Sequence, residues 1–353
     1  MEYPEIGDGD IISKLPEHIL HRILYFLPKR DAAKTCLLSK SWRQIWSTRP
    51  KLAFRQTSRD RATDKAKHVF LTRVDNALQA HLDHNLHLEK LRLVITLLDS
   101  NSISLLEKWI PLLDAIGVRE LYLSIHSERK KVRYVRLPPL LSLHKCKLSD
   151  QECLSNIPLI NYTSLEVIRL NGVSVQKEIF DRIILSCPKI RTIWLKDCKG
   201  LKKIKLVKEN HKYLEHFTFT SNVLYALEQF TIEIDDLENL ETISVLARMT
   251  RFRGNKYDNL KSLSLKFVSI LFDNPSLKFP SLESLSLKNS YGFARIHLEI
   301  DAPKIRFFYY RGDFIPSISF TETYGHWKSK IYIVGGFDDA LWLVKLSQLL
   351  EAI

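Results

Sequence analysis

DIISKLPEHILHRILYFLPKRDAAKTCLLSKSWRQIW, Asp10 to Trp46, sets three short helices in fewer than forty residues. Pro16 stands where a first helical turn tolerates proline, because the missing N–H would be unpaired there anyway. Ile19, Leu20, Ile23, Leu24 and Leu27 recur at i, i+1, i+4, i+5 and i+8, one broad apolar stripe. Pro28 stops that helix, and Asp31 is placed to cap a second one through Ala32, Ala33, Cys36, Leu37 and Leu38. Ser39 or Ser41 caps a third, with Trp42, Ile45 and Trp46 at helical spacing. A unit this small cannot bury so much Leu, Ile and Trp within itself. The surplus apolar face calls for a partner.

The order and spacing of LPEHIL (Leu15–Leu20), ILYFLP (Ile23–Pro28) and CLLSKSWRQIW (Cys36–Trp46) resemble an F-box. The resemblance implies docking on a Skp-type adaptor and, through it, on a cullin–RING ubiquitin ligase, the SCF assembly. It also implies the adaptor-facing residues Leu15, Pro16, Ile19, Leu20, Leu37, Leu38, Trp42 and Trp46. Ile23 and Leu24 are expected in the module's own core.

The chain has 353 residues, 45% of them hydrophobic, enough for a sizeable core and more than one unit. Nowhere do eighteen apolar residues run together, so no membrane span is expected. MEYPEIGDGD is acidic and lacks an apolar core, unlike a secretory signal. Five widely spaced cysteines (Cys36, Cys146, Cys153, Cys187, Cys198) with no CxxC pair argue for reduced thiols in the nucleus or cytosol. The sequon Asn161-Tyr-Thr163 is then coincidental. Net charge is +13 but dispersed. Arg49 to Lys67 holds seven Lys/Arg against Asp60 and Asp64 and reads as a basic linker. A second cluster, Lys196 to Lys208, falls within a repeat. Neither resembles a helix-turn-helix, zinc finger or aromatic single-strand platform, so nucleic acid is not the expected partner.

From Leu88 onward the chain repeats an apolar–x–x–apolar–x–apolar motif. It appears as LEKLRL at Leu88, VRELYL at Val118, PPLLSL at Pro138, LEVIRL at Leu165, IRTIWL at Ile190 and LKKIKL at Leu201. LEHFTF at Leu214, LEQFTI at Leu227, LETISV at Leu240, LKSLSL at Leu260, LESLSL at Leu282 and IRFFYY at Ile305 follow. Steps of 20 to 30 residues separate most copies, the length of a leucine-rich repeat. Between Leu201 and Leu240 the step is 13, too short for a strand, a helix and two turns, so loops or short strands must form the outer face there. Amphipathic helices are expected at Val69–Leu82, Ser104–Ile116 and Val175–Leu185. Cys146 and Cys198 fall where such repeats place Cys or Asn to satisfy backbone groups at a turn.

F-box, basic linker and irregular repeats together are similar to the large plant family of F-box/leucine-rich-repeat proteins. FLTRVDNALQAHL (Phe70–Leu82), EKWIPLLDAIGVRELYL (Glu107–Leu123), SCPKIRTIWLKDC (Ser186–Cys198) and APKIRFFYYRG (Ala302–Gly312) carry the likeness beyond the F-box. Many members end in a further FBD region. Here Asp338–Leu350 reads instead as a capping helix, with Asp338 or Asp339 as N-cap and Leu341, Trp342, Val344, Leu346, Leu349 and Leu350 apolar. The expected architecture is an α/β solenoid. A three-helix F-box (8–50) leads through a basic linker and amphipathic helix (51–85) into a right-handed leucine-rich-repeat solenoid (86–325), closed by a strand and capping helix (326–353).

Strands about 4.8 Å apart would make about ten copies a concave sheet roughly 45 Å long. Alternation sends the apolar positions inward and the variable ones outward. The outward candidates for target binding are Arg92, Tyr122, Arg169, Trp194, Lys196, His216, Lys288, Phe307, Tyr309 and Arg311. Aromatic and arginine side chains are the usual interface anchors. The cations among them point to an acidic or phosphorylated target protein.

Catalytic signatures are absent. His81, His84 and His87 with Asp83 straddle a helix end without a second half-site and read as polar surface. Gly335-Gly336 is a lone pair, and Asp235-Asp236 and Asp338-Asp339 read as caps. No GxSxG or HExxH occurs, and no metal or cofactor is expected. The sequence thus points to a non-catalytic substrate receptor that holds an adaptor and a target together. The rival readings are a non-degradative scaffold or adaptor-sequestering protein, a small-molecule co-receptor, and nucleic-acid binding through the linker.

Overall fold

In the computed structural model, prolines and one serine set the first helices. α1 (Glu17–Phe26) begins after Pro16, its N-cap, and ends at Leu27. Pro28, not Asp31, is the N-cap of α2 (Lys29–Lys34). Asp31 lies inside the first turn, where a carboxylate suits the positive helix end, and sits 3.4 Å from Lys34. α2 does not run on to Leu38 as expected. The Thr35 hydroxyl donates to the Ala32 carbonyl (2.7 Å), and Thr35–Leu37 tightens into a 3-10 turn. Ser39 Oγ accepts from the Trp42 N–H (3.2 Å) and caps α3 (Lys40–Ser47). Leu20, Leu24, Ala32, Trp42 and Ile45 form the core of this module, with Ile23, Leu27 and Trp46 packed against it.

The structure describes residues 12, 15–97, 100–127, 144–149, 163–221, 230–247, 249–273, 276–289, 298–315, 318–320, 326–334 and 340–351. PPLLSL at Pro138, Cys153, Asn161, Asp338 and the Gly335 pair lie outside them. Two units divide the chain, 1–123 and 124–353.

In the first unit the expected linker is folded. KLAFR forms β1 (Lys51–Arg55), which runs parallel to β2 (Lys90–Leu97) with Leu52 opposite Leu91 and Phe54 opposite Leu93. A short helix, α4 (Ser58–Arg61), carries a Thr57–Asp60 capping box. α5 (Asp64–Asp83) starts five residues before the expected Val69 because Thr63 caps it, accepting from the Ala66 N–H. α6 (Ser100–Ala115) follows β2 and precedes β3 (Glu120–Ser127). The buried Trp109 indole N–H on α6 donates to Asp75 Oδ1 on α5 (2.8 Å), and Lys108 pairs with the same carboxylate. His81 corrects the polar-surface expectation. It is fully buried, its two ring nitrogens 2.8 Å from the Ala77 carbonyl and 3.0 Å from the Arg49 carbonyl. It ties α5 to Arg49, two residues past the end of α3.

The second unit is a parallel solenoid. Its main sheet has the order β4 (Lys145–Ser149), β5 (Val167–Asn171), β6 (Thr192–Lys196), β8 (His216–Thr220), β10 (Thr242–Leu246), β12 (Ser262–Lys266), β15 (Ser284–Lys288), β17 (Phe307–Gly312) and β19 (Lys328–Ile333). α7 (Lys177–Leu185) fills the outer side of one turn. After it the outer side becomes strands: β7 (Lys203–Leu206), β9 (Thr231–Ile234), β11 (Met249–Phe252) and β13 (Ser269–Phe272) form a second sheet. β14 (Ser276–Lys278), β16 (Leu298–Asp301) and β18 (Ile318–Phe320) form a third. This explains the 13-residue step. LKKIKL and LEQFTI supply outer strands β7 and β9, while LEHFTF and LETISV supply main-sheet strands β8 and β10, so two motif copies make one turn.

Repeated devices hold the register. Asn239 and Asn259 each donate a side-chain amide to a backbone carbonyl of the preceding turn, Lys212 and Glu238, at 2.7 Å. At the sheet margin, Arg191–Glu215 (2.7 Å) and Lys261–Glu241 (2.8 Å) pair across neighbouring turns. Cys198 donates to the Leu170 and Lys196 carbonyls, whereas Cys146 is buried within β4 and not at a turn. Burial pushes both thiols up to about 12, which keeps them protonated. The final helix, α8 (Ala340–Glu351), buries Leu349, but Val344 and Leu350, expected to cover the core, are exposed along with Leu343.

Candidate functional site: two binding faces

On the first module, exposure separates the expected adaptor residues into two groups. Leu37 is 84% exposed, Leu38 67% and Leu15 37%, and Pro16 is also exposed. Ile19 is half-buried. Leu20 and Trp42 are 1% and 3% exposed and belong to the internal core, which corrects their assignment to the adaptor face. They face inward because the three helices meet on one side: the i, i+4 pair Leu20/Leu24 of α1 packs with Trp42 and Ile45 of α3. Trp46 is half-buried, and the Arg49 guanidinium lies 3.7 Å from its ring centroid, leaving it no free face there. Sequence reasoning passed over Ile12, Tyr25 and Phe26, all exposed. Tyr25 and Phe26 stand edge to face at 5.4 Å, just off the apolar stripe that was followed. An isolated exposed leucine is ordinary, but several on a module with a completed core form a docking surface in waiting.

The second face is the outward side of the strands. Within the first unit, Arg92 lies 4.6 Å over the Tyr122 ring. Within the second, strand register arranges the candidates in three rows. One row runs through Thr192, His216, Thr242, Ser262, Ser284, Phe307 and Lys328. The next runs through Arg169, Trp194, Thr218, Ser244, Ser264, Ser286, Tyr309 and Lys330. The third runs through Asn171, Lys196, Thr220, Leu246, Lys266, Lys288, Arg311 and Tyr332.

No aspartate or glutamate stands on these rows. The acidic residues Glu166, Glu215, Glu241 and Glu283 all precede the strands, at the margin. Arg169 is beside Trp194, and Lys288 beside Arg311, in register. His216 Nδ1 lies 2.9 Å from the Thr242 hydroxyl, so its ring is oriented along its row. Lys328, Lys330 and Tyr332 on β19, the strand expected within 326–353, extend the set beyond the candidates that the repeat motif supplied. Tyr332 packs against Tyr309 at 5.8 Å between ring centroids. The result is a basic, aromatic end to the sheet, suited to polyanionic or acidic peptide surfaces.

Among the described residues no group of His, Cys, Asp and Glu is arranged to hold a metal ion, and no helix is long and apolar enough to cross a membrane.

Comparison with known proteins agrees with this geometry. The F-box domain family matches residues 12–54. A putative F-box/LRR-repeat protein of Arabidopsis thaliana is 28% identical over 77% of this chain and 54% of its own length. A putative FBD-associated F-box protein of the same plant is 27% identical over 82% of this chain and 54% of its own length. An F-box/FBD/LRR-repeat protein is 23% identical over 75% of the chain and 64% of its own length. The chain thus spans about half the length of the first of these relatives. The chain joins an F-box domain to a parallel repeat solenoid, and in both parts it matches the plant F-box/LRR-repeat proteins.

Proposed function

We propose that this chain is a non-catalytic substrate-recognition subunit of an SCF-type cullin–RING ubiquitin ligase, working in the cytoplasm or nucleus. The F-box holds a Skp-type adaptor through Leu15, Pro16, Ile19, Leu37 and Leu38. The outward rows of the sheet hold an acidic or phosphorylated target protein. The observation that carries the adaptor half is the exposure of Leu37 and Leu38 beside a core that is already filled. The carboxylate-free rows support the target half. The receptor's contribution to catalysis is proximity: a bound target and a charged ubiquitin carrier meet at high effective concentration.

The test is reconstitution. Full-length chain, a Skp-type adaptor and a cullin are mixed and resolved by size-exclusion chromatography. A stoichiometric ternary complex that Leu37→Ser/Leu38→Ser abolishes supports the reading. Well-folded chain that binds adaptor and recruits no cullin returns it to a sequestering or scaffold protein.

A further inference from the structure

The basic stretch read as a linker is folded, and its arginines converge. α3, β1, α4 and α5 enclose a groove of about 1530 Å³. Arg43, Arg49, Arg55, Arg59 and Arg73 line it, against the single carboxylate of Asp60. That carboxylate is already engaged. It accepts from the Thr57 N–H (2.8 Å) and hydroxyl (2.7 Å) and lies 3.8 Å from Arg73. Among the described residues, Arg43, Arg49, Arg55 and Arg59 have no carboxylate within 4 Å.

Arg49 is the most deeply held. It stacks on Trp46 and donates to the Trp46 carbonyl, and burial pulls its guanidinium down to about 10. Withdrawing a cation from water with no counter-charge opposes folding, and arginines facing one groove repel each other. Both costs fall when an anion enters. A concave basic surface also focuses its potential into the groove, which concentrates anions there.

We propose that this groove binds a compact anion carrying several phosphates, held by forked contacts from Arg43, Arg55 and Arg59 beside the half-buried Arg49 that stacks on Trp46. The guanidinium fork matches phosphate oxygens two at a time, which a lysine cluster would not do. Single-stranded nucleic acid fits less well. It needs free rings for base stacking. Of the indole and phenyl rings lining the groove, Trp46 is stacked by Arg49 and the buried Phe70 by Arg73 at 5.4 Å, so half-buried Phe54 and the His68 imidazole make no run of platforms for successive bases.

Isothermal titration of the full chain with tripolyphosphate, inorganic phosphate and an oligothymidylate of about twelve nucleotides tests this. Tripolyphosphate should bind at one site, at least about tenfold tighter than phosphate. Arg55→Ser/Arg59→Ser should weaken it at least about tenfold, and Arg55→Lys/Arg59→Lys by less. Lys189→Ser/Lys304→Ser, exposed elsewhere and equal in charge lost, should leave it unchanged. Circular dichroism confirms that each variant is folded, and adaptor binding by the same variants reads the F-box separately. Three results overturn the proposal: no saturable binding by folded wild type, equal loss in both charge pairs, or tighter binding of the oligonucleotide.

Discussion

Trp194 on β6 and Tyr309 on β17 stand in the same register row, five strands apart. At about 4.8 Å per strand they are about 24 Å from each other. Between them the row carries only Thr218, Ser244, Ser264 and Ser286. Small hydroxyls leave a shallow strip between two rings, long enough for about seven residues of extended peptide. Trp194→Ala and Tyr309→Ala should each weaken target capture about tenfold or more while leaving adaptor binding intact. Quantitative mass spectrometry of proteins co-purified with each variant measures this. Identical recovery from wild type and both variants would remove the row from consideration.

The F-box residues predict a clean division between binding and folding. Leu37→Ser/Leu38→Ser removes exposed apolar surface and should cost adaptor affinity at least about 2 kcal/mol, with little effect on the melting curve. Leu20→Ala or Trp42→Ala opens a cavity in the core and should cost about 2–5 kcal/mol of stability. Calorimetry and adaptor titration on the same samples separate the two. A Leu37/Leu38 variant that binds normally would move the docking face elsewhere on the module.

Glu233 on β9 predicts an acid limb in stability. Its carboxylate is buried, 2.5 Å from Lys203 and 2.8 Å from Arg253, with Lys205 at 3.8 Å. Burial alone would raise its pKa, but the Lys203 hydrogen bond and the charges of Arg253, Lys203 and Lys205 outweigh it and hold the group below 4.5. The folded state therefore binds fewer protons here than the unfolded chain. The stabilisation is complete above about pH 4.5 and disappears as the pH falls through the lower folded value. Glu233→Gln should lose about 2 kcal/mol at pH 7 and flatten the decline below pH 4.5. Urea midpoints across pH 3 to 7 check both, and parallel curves for the two proteins would falsify the assignment.

Much of this architecture was legible because it rests on local chemistry. The Ser39 cap, the Pro28 break and the alternation in SLSLK and TISVL follow from single residues and period-two patterning. What was hidden depends on neighbours. A stripe shows which side of α1 is apolar, but not that Trp42 and Ile45 already cover Leu20. LKKIKL has the same pattern as LEHFTF, and only the turn length places one on the outer sheet and the other on the main sheet. KLAFR has charged ends and just three apolar residues, so its pairing with β2 was invisible until Leu52 met Leu91. His81 looked like surface by residue type, yet two carbonyls make its burial possible. The outward aromatics were found because alternation is strict. Lys330 and Tyr332 were missed because the motif's leucines give out before β19.

Phe267 predicts that one residue works against the repeat. It follows β12 with φ +53°, the left-handed region that a bulky side chain avoids, and its N–H donates to the Lys288 carbonyl (2.8 Å). The same position after β5, β6 and β15 holds Gly172, Asp197 and Asn289, residues that accept this conformation readily. The Phe267 ring is 38% exposed, so its burial offsets only part of the backbone cost. Phe267→Asn should therefore raise stability by about 1 kcal/mol, seen as a higher urea midpoint at unchanged slope. The reverse change, Asn289→Phe, imposes the same strain at an unstrained site and should lower the midpoint by a similar amount. If Phe267→Asn instead lowers the midpoint, contacts of the ring exceed the strain, and the left-handed turn is not what limits this repeat.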